Sequence, residues 1–376
     1  MSGKKPQKNF QSSISPYLYF TQTSLVSFRF LEIQPFPSKP IESLLNDNVI
    51  GTPGLSMLYQ HLGVAQKLYR IAKPHFVSIR KKNAMVGTCC ICERDFHGTT
   101  GFYVRYFAFH NSFRLKETPS QRVRKKSSAL RAEISELLSG KGLLPDANKT
   151  FFHYAYVDPR NPRSARLCEE FGFIPVRQYT TRLFSRLWPK PHELMVKQLP
   201  AADERIRTLL TTFYRDYNLV SFENLSRTYY YVEDEAGEII AGVQVNPDAW
   251  RILTLPGLNG NMLLNVFDRM PLLSRLLSKR FRFLAVEGIY YREGKEHVFE
   301  QLLETLLHQH SLHTAIMVMD TASSLYRLTQ QINLGLLAKI SPEIHGHVIA
   351  RYHGTDEAFV AMQKSRPSCI SVHDLS

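Results

Sequence analysis

FFHYAYVDPRNPRSARLCEEFGF, residues Phe151 to Phe173, holds three structural signals in close succession. The apolar run Phe151–Val157 reads as a buried strand that stops at Asp158-Pro159, because the residue before a proline avoids the helical region. Asn161, Ser164, Leu167, Cys168 and Phe171 then recur at three- and four-residue spacings, one face of a helix. Gly172 ends that helix with the residue for which a left-handed backbone costs least, and Phe173 opens an extended segment. Strand, capped helix, glycine and strand make a compact β-α-β type unit.

Toward the N-terminus, His75–Arg80, Met85–Glu93 and Phe102–Phe109 read as three strands separated by turn signals. Ser120–Leu138 follows as a helix with apolar residues at 123, 130, 134, 137 and 138 and a basic first third. Earlier still, Ser27–Ile33 reads as a strand, Ile41–Leu45 as helical, and Leu55–Leu68 has helical periodicity apart from Gly63.

Toward the C-terminus, Arg182–Pro191 reads as a linker with prolines at 189 and 191, after which the order repeats. Strand His192–Leu199 and helix Ala202–Tyr217 precede a hairpin of Thr228–Glu233 and Ile239–Val245, turning at Asp234–Gly237. Trp250–Leu255 extends that sheet. Strand Phe281–Tyr290, helix Val298–His308, strand Ala315–Met319, helix Ser323–Leu334 and strand Gly346–Tyr352 complete the half. Gly257–Leu277 is an apolar helical insertion with no counterpart in the first half. The tail from Thr355 reads as weakly structured beyond a short helix. The expected class is α/β with mixed (α+β) sheets in two tandem domains, residues 27–185 and 192–354. A lead-in (1–26), a linker (186–191) and a tail (355–376) complete the division.

The 376 residues are enough for two cores, and 44% hydrophobic with 21% charged residues is a globular composition. No apolar run reaches the length of a membrane-spanning helix, and MSGKKPQKNF lacks a signal-peptide core. Five cysteines, an odd number, suit a reducing, cytoplasmic compartment better than a disulfide scaffold. Cys89, Cys90 and Cys92 sit in an apolar strand and read as buried thiols rather than metal ligands. The net charge of +14 favours anionic partners: a polyphosphate cofactor, an acidic lipid surface or nucleic acid. No nucleic-acid-binding motif accompanies Arg160, Arg163 and Arg166, which argues against the last of these.

The element order, taken with Asn161-Pro-Arg-Ser-Ala-Arg-Leu-Cys-Glu-Glu-Phe-Gly-Phe173, resembles the GNAT superfamily of acetyl-CoA-dependent N-acyltransferases. Asn161, Ser164, Leu167, Gly172 and Phe173 stand where the family's late helix carries Asn, a small residue, Leu and a terminal Gly-Phe. A tandem pair is similar to the family's two-domain members. The resemblance implies a CoA thioester, acetyl-CoA or a longer acyl-CoA, and an amine acceptor. It places the thioester on Phe107, Ala108 and Phe109 and on the loop pattern at Arg122, Arg124, Lys125, Lys126 and Ser127, with Asn161 and Ser164 alongside. Lys125 stands where the family has the first loop glycine. Backbone N–H groups at a helix start grip a pyrophosphate, and basic residues placed against the helix dipole suggest an anion nearby. The corresponding loop of the second half, Tyr290–His297, brings glutamates to its helix start and suits a phosphate less.

Acyl transfer to an amine needs a proton acceptor, carbonyl polarisation and a proton for the leaving thiolate. The resemblance points to Glu287, one carboxylate in the apolar strand Phe283–Ile289, as the acceptor; burial would raise its pKa. The family's late-helix proton donor is a Tyr. Its place is taken by Cys168 in the first half, either a packing thiol or a donor, and by Tyr326 in the second. Gly288 marks a possible strand bulge. A protein of the same fold that binds CoA or a partner without catalysis is the alternative reading.

Overall fold

The computed structural model describes residues 28–375 apart from 83, 97, 111–120, 145–148, 258 and 342, and over 121–128 the backbone alone. The strands are β1 (Leu31–Gln34), β2 (Leu58–His61), β3 (Pro74–Lys81), β4 (Ala84–Phe96), β5 (Thr99–Phe109), β6 (Phe151–Val157), β7 (Ile174–Ser185), β8 (Lys197–Pro200), β9 (Thr228–Glu233), β10 (Ile239–Thr254), β11 (Arg280–Tyr291), β12 (Thr314–Asp320) and β13 (Ile344–His353). The helices are α1 (Lys39–Asn46), α2 (Val64–Leu68), α3 (Gln121–Leu137), α4 (Pro162–Glu170), α5 (Glu204–Phe213), α6 (Gly260–Arg269), α7 (Glu296–Gln309), α8 (Ser324–Gln331), α9 (Leu336–Ile340), α10 (Glu357–Ser365) and α11 (Val372–Leu375).

All thirteen strands form one mixed sheet, in the order β1-β3-β4-β5-β6-β13-β7-β12-β11-β10-β9-β8, with β2 added to β10. Each half contributes an antiparallel set ending in a parallel pair reached through a helix. These are β5 with β6 across α3, and β11 with β12 across α7. The last strands then change places. β13 runs between β6 and β7, antiparallel to both, and β7 pairs with β12 through Thr314↔Ser185 to Asp320↔Tyr179. The two halves therefore share an unbroken ladder.

Burial explains the strand sequences. Every residue of β12, TAIMVMD, is buried, and a strand covered on both faces must be nearly continuously apolar. Helix α7 lays Val298, Phe299, Leu302, Leu303, Leu306 and Leu307 on the second half. Burying each such side chain is worth ~1.5–3 kcal/mol, so packing rather than intrinsic propensity holds α7 in place. A second cluster, with Phe76, Tyr103, Tyr154, Trp250, Phe283, Ile316 and Val372, lies where the halves meet. A third sits under α3 against β1 and β3–β5. Among the described residues no helix is long and apolar enough to cross a membrane.

Several sequence expectations change. Leu55–Leu68 is not one helix, because Gln60 and His61 are drawn into a ladder with Arg251 and Trp250 of β10, and α2 starts only after Gly63, at φ +69. The insertion Gly257–Leu277 breaks at Pro271 into α6 and one 3-10 turn, Leu273–Arg275. The tail is firmly structured: beyond α10, its Ile370, Val372 and Asp374 are buried between the two halves.

Candidate active site

The strands bend where an extra residue is inserted. β4 and β5 slip register between Thr88 and Cys90, so Tyr106 and Phe107 together oppose Cys89. β10 and β11 slip between Gly242 and Gln244, so Gly288 and Ile289 together oppose Val243. Such bulges kink a strand and leave backbone groups outside the ladder. Beyond them the parallel pairs part. β5 stays with β6 only from Thr100↔Phe151 to Tyr103↔Tyr154, and β11 stays with β12 only at Leu284↔Ala315 and Ala285↔Ile316. Each half thus opens beside its bulge.

The residues 368–375 run between these openings and are fixed by charge. Arg94 donates both guanidinium arms to the Asp374 carboxylate, at 2.8 Å each, and one of them also to the Tyr154 hydroxyl at 2.8 Å. Tyr103 donates its hydroxyl to the Asp374 carbonyl at 2.5 Å. Arg105 donates to the His373 carbonyl at 2.6 Å and to the Tyr106 hydroxyl at 2.8 Å. Burial alone would raise the Asp374 carboxyl, but Arg94 and Arg105 outweigh it and hold the group below its usual range. Glu287 takes the other side: its Oε1 accepts from the Ser371 hydroxyl at 2.8 Å and from the His373 amide at 2.9 Å. Burial pushes the Glu287 carboxyl up to about 8, against those hydrogen bonds. Asn224 donates to Ser371 Oγ at 2.7 Å, leaving that half-buried hydroxyl one lone pair. His373 is pushed down to about 4, chiefly by burial. One residue, His373, therefore spans from Glu287 on β11 to Arg105, next to the β5 bulge.

The second opening is filled by the chain itself. Asn218 exchanges backbone hydrogen bonds with Pro367 and Cys369 at 2.7 Å, and the Ser368 amide donates to Asp320 at 2.9 Å. What remains beside Glu287 is a cavity of about 30 Å³ bordered by Leu225, Ile289, Leu325 and Cys369. That is room for about one water. At the start of α7, Glu296 accepts from the Gly294 amide at 3.1 Å, and Arg292 pairs with Asp234 at 2.6 Å. A carboxylate of the chain thus takes up an amide at the start of α7, where free N–H groups would otherwise favour an external anion.

The other residues singled out in the sequence separate spatially. Phe107 is 45% exposed beside the first bulge, edge-on to Phe109, and Ala108 is buried. Arg122, Arg124, Lys125, Lys126 and Ser127 lie in the first two turns of α3; their side chains fall outside the described residues. Asn161 caps α4 by accepting from the Ser164 amide at 3.1 Å. Cys168 packs with Leu138, Phe173 and Ile349, and burial pushes its thiol up to about 11. Tyr326 donates to Glu343 at 3.2 Å, and Glu343 in turn pairs with Arg182. It does not border the Glu287 cavity. Cys89, Cys90 and Cys92 are buried in β4. His153 is likewise a core residue, stacked on Phe102.

Sequence reasoning missed Arg94, Tyr154 and the whole of Ser371–Asp374. A charged pair in an apolar strand, Arg94 and Arg105 within β4 and β5, was the available signal for a buried carboxylate partner.

No family model matches the sequence, and no curated protein matches it. Solved structures do. Saccharomyces cerevisiae N-myristoyltransferase with bound myristoyl-CoA and inhibitors superposes with a TM-score of 0.54 at 9% identity, covering 89% of this chain and 83% of that one. The same enzyme with bound myristoyl-CoA gives 0.52 at 9% identity, over 89% and 85%. The GCN5-related glucosamine N-acetyltransferase region of a fungal multi-domain GH3 β-N-acetylglucosaminidase gives 0.50 at 9% identity, over 86% of this chain and 38% of that one. Likeness at such identity speaks to fold alone. The fold is GNAT-like, a mixed α/β architecture whose tandem arrangement is consistent with the single large sheet.

Proposed function

We propose that this chain transfers an acyl group, acetyl or longer, from a CoA thioester to an amine by direct attack in a ternary complex. The observation that carries the reading is the β5–β6 opening at the Tyr106–Phe107 bulge, with the tail's His373 and Asp374 held to Arg105 and Tyr103 of β5 and His373 bonded onward to Glu287. The fold of proteins that bind myristoyl-CoA or acetylate an amino sugar supports it.

In this reading the thioester lies along Phe107–Phe109, with its carbonyl oxygen against bulge amides freed from the ladder. Its pyrophosphate sits at the start of α3 with Arg122, Arg124 and Lys125. The first half is the donor side because the tail and Glu296 occupy the equivalent places in the second. The ammonium form of the amine passes a proton to Ser371 Oγ as Ser371 passes its own to Glu287. The neutral amine nitrogen then bonds to the carbonyl carbon, the C–S bond breaks, and the thiolate takes the second proton, which the nitrogen sheds as the amide forms. The division at 186–191 belongs to the same proposal, as the crossing between a donor half and an acceptor half.

Thermal shift with CoA, acetyl-CoA, myristoyl-CoA and palmitoyl-CoA, followed by free-thiol release across a panel of amines, tests this. Stabilisation by a thioester, lost in Arg122→Glu with Lys125→Glu, is the expected result. No stabilisation by any thioester overturns the donor assignment. Stabilisation without thiol release would instead favour a protein that binds CoA and does no chemistry.

A further inference from the structure

The segment joining β10 to β11 plays no part in the site above. α6 anchors itself by Phe267, buried with Leu276 and Leu337 against Leu183, and by Leu264, buried in the cluster that holds Trp250 and Phe281. Its other side is bare: Met262, Leu263, Val266, Met270 and Leu272 are 38–63% exposed. Met262, Val266 and Met270 follow at four-residue intervals, so they form one stripe. Single exposed apolar residues are ordinary, but five on one continuous segment mark a contact surface.

The segment and the strand ends it joins also carry cations. Arg251, Arg269, Arg275, Lys279, Arg280 and Arg282 are all exposed, and no ion pair among the described residues engages them. The single acid between residues 249 and 286 is Asp268, which accepts from the Lys279 amide at 3.0 Å. Arg251 and Arg280 stand directly opposite each other across β10 and β11. Like charges so placed repel, and an external anion relieves them. An acidic protein would be met by the cations without protruding methionines and leucines. An apolar partner would need no run of unpaired cations. An anionic bilayer needs both, apolar side chains at the acyl boundary and cations at the headgroup phosphates.

We propose that the α6 segment, residues Met262–Arg282, is a peripheral docking element that seats this protein on an anionic lipid bilayer. The assignment is independent of the acyl-transfer reading.

Co-sedimentation of the full chain with vesicles of phosphatidylcholine alone, or with phosphatidylserine added, tests it. Retention on the mixed vesicles only, weakened at least about tenfold by Leu263→Glu with Val266→Glu, by Arg275→Glu with Lys279→Glu, or by raised salt, is expected. The altered side chains are exposed, so melting temperature and any CoA-induced shift should not change. Met262→Ser with Met270→Ser serves as a second apolar variant if the first one melts early. No retention on the mixed vesicles overturns the proposal. So does retention indifferent to the apolar variants, or equal binding to polyglutamate that ignores them, which would point to an acidic protein instead.

Discussion

Tyr106 and Gly288 occupy the same place in the two halves: each opens the bulge that bends its half's fourth strand, with φ of +54 and +58. Glycine adopts this backbone freely, whereas a side chain there costs ~1–2 kcal/mol. Strain of that kind persists only where the surroundings hold it. Here Arg105 lies 4.2 Å from the Tyr106 ring centre and donates to its hydroxyl. The first half thus carries a tensioned aromatic where the second carries a glycine.

Gly288→Ala should therefore cost more than the backbone term alone, because its Cβ would stand 2.9 Å from Leu225 Cδ2. A loss of about 2 kcal/mol in urea denaturation is expected. Tyr106→Gly should change stability by less than about 1 kcal/mol, strain relief offsetting the lost contact, yet lower acyl transfer at least about tenfold by loosening Arg105. Equal stability losses from the two variants would contradict the assignment of strain to Tyr106.

The Arg94–Asp374 pair fixes the tail, and both side chains are almost wholly buried. Removing one partner leaves an unpaired charge in the core, so Asp374→Asn should cost about 3 kcal/mol. Arg94→Met with Asp374→Asn should recover part of that loss. The carboxyl's folded pKa is depressed, so its contribution is present above the unfolded value near ~4 and is lost as pH falls. An acid-unfolding midpoint unmoved by Asp374→Asn would count against this role.

These two sites show what was legible beforehand. Local patterns announced the strands, the capped α4 and Gly288, since caps, glycines and periodicity act within a few residues. Glu287 stood out as a carboxylate among apolar neighbours. Tyr106 gave no sign, because its backbone is dictated by the ladder and not by its own preference. The tail was unreadable for the same reason: Asp374 is ordered by Arg94, some 280 positions away. The exchange of β7 and β13 is likewise a matter of long-range pairing. A short polar tail carries little apolar periodicity, so its burial depends on partners that sequence spacing does not reveal.

Glu287 gives the most discriminating measurement. Its pKa is raised to about 8 by burial, against the pull of Ser371 and His373, so the folded state holds a proton that the unfolded chain releases near ~4.5. Its stabilising contribution is then full below about 4.5, falls as pH rises toward about 8, and is flat above. Subtracting the stability of Glu287→Gln from that of the wild type across pH should trace that decline. Activity should move the opposite way, rising to a plateau above about 8 as the carboxylate becomes able to accept the amine proton. Glu287→Gln should lower turnover by ~10²–10⁴ and flatten this limb, and Ser371→Ala should lower turnover while leaving thioester binding intact. A Gln variant with the wild-type pH profile would remove Glu287 from the proton path and leave it as an anchor for the tail alone.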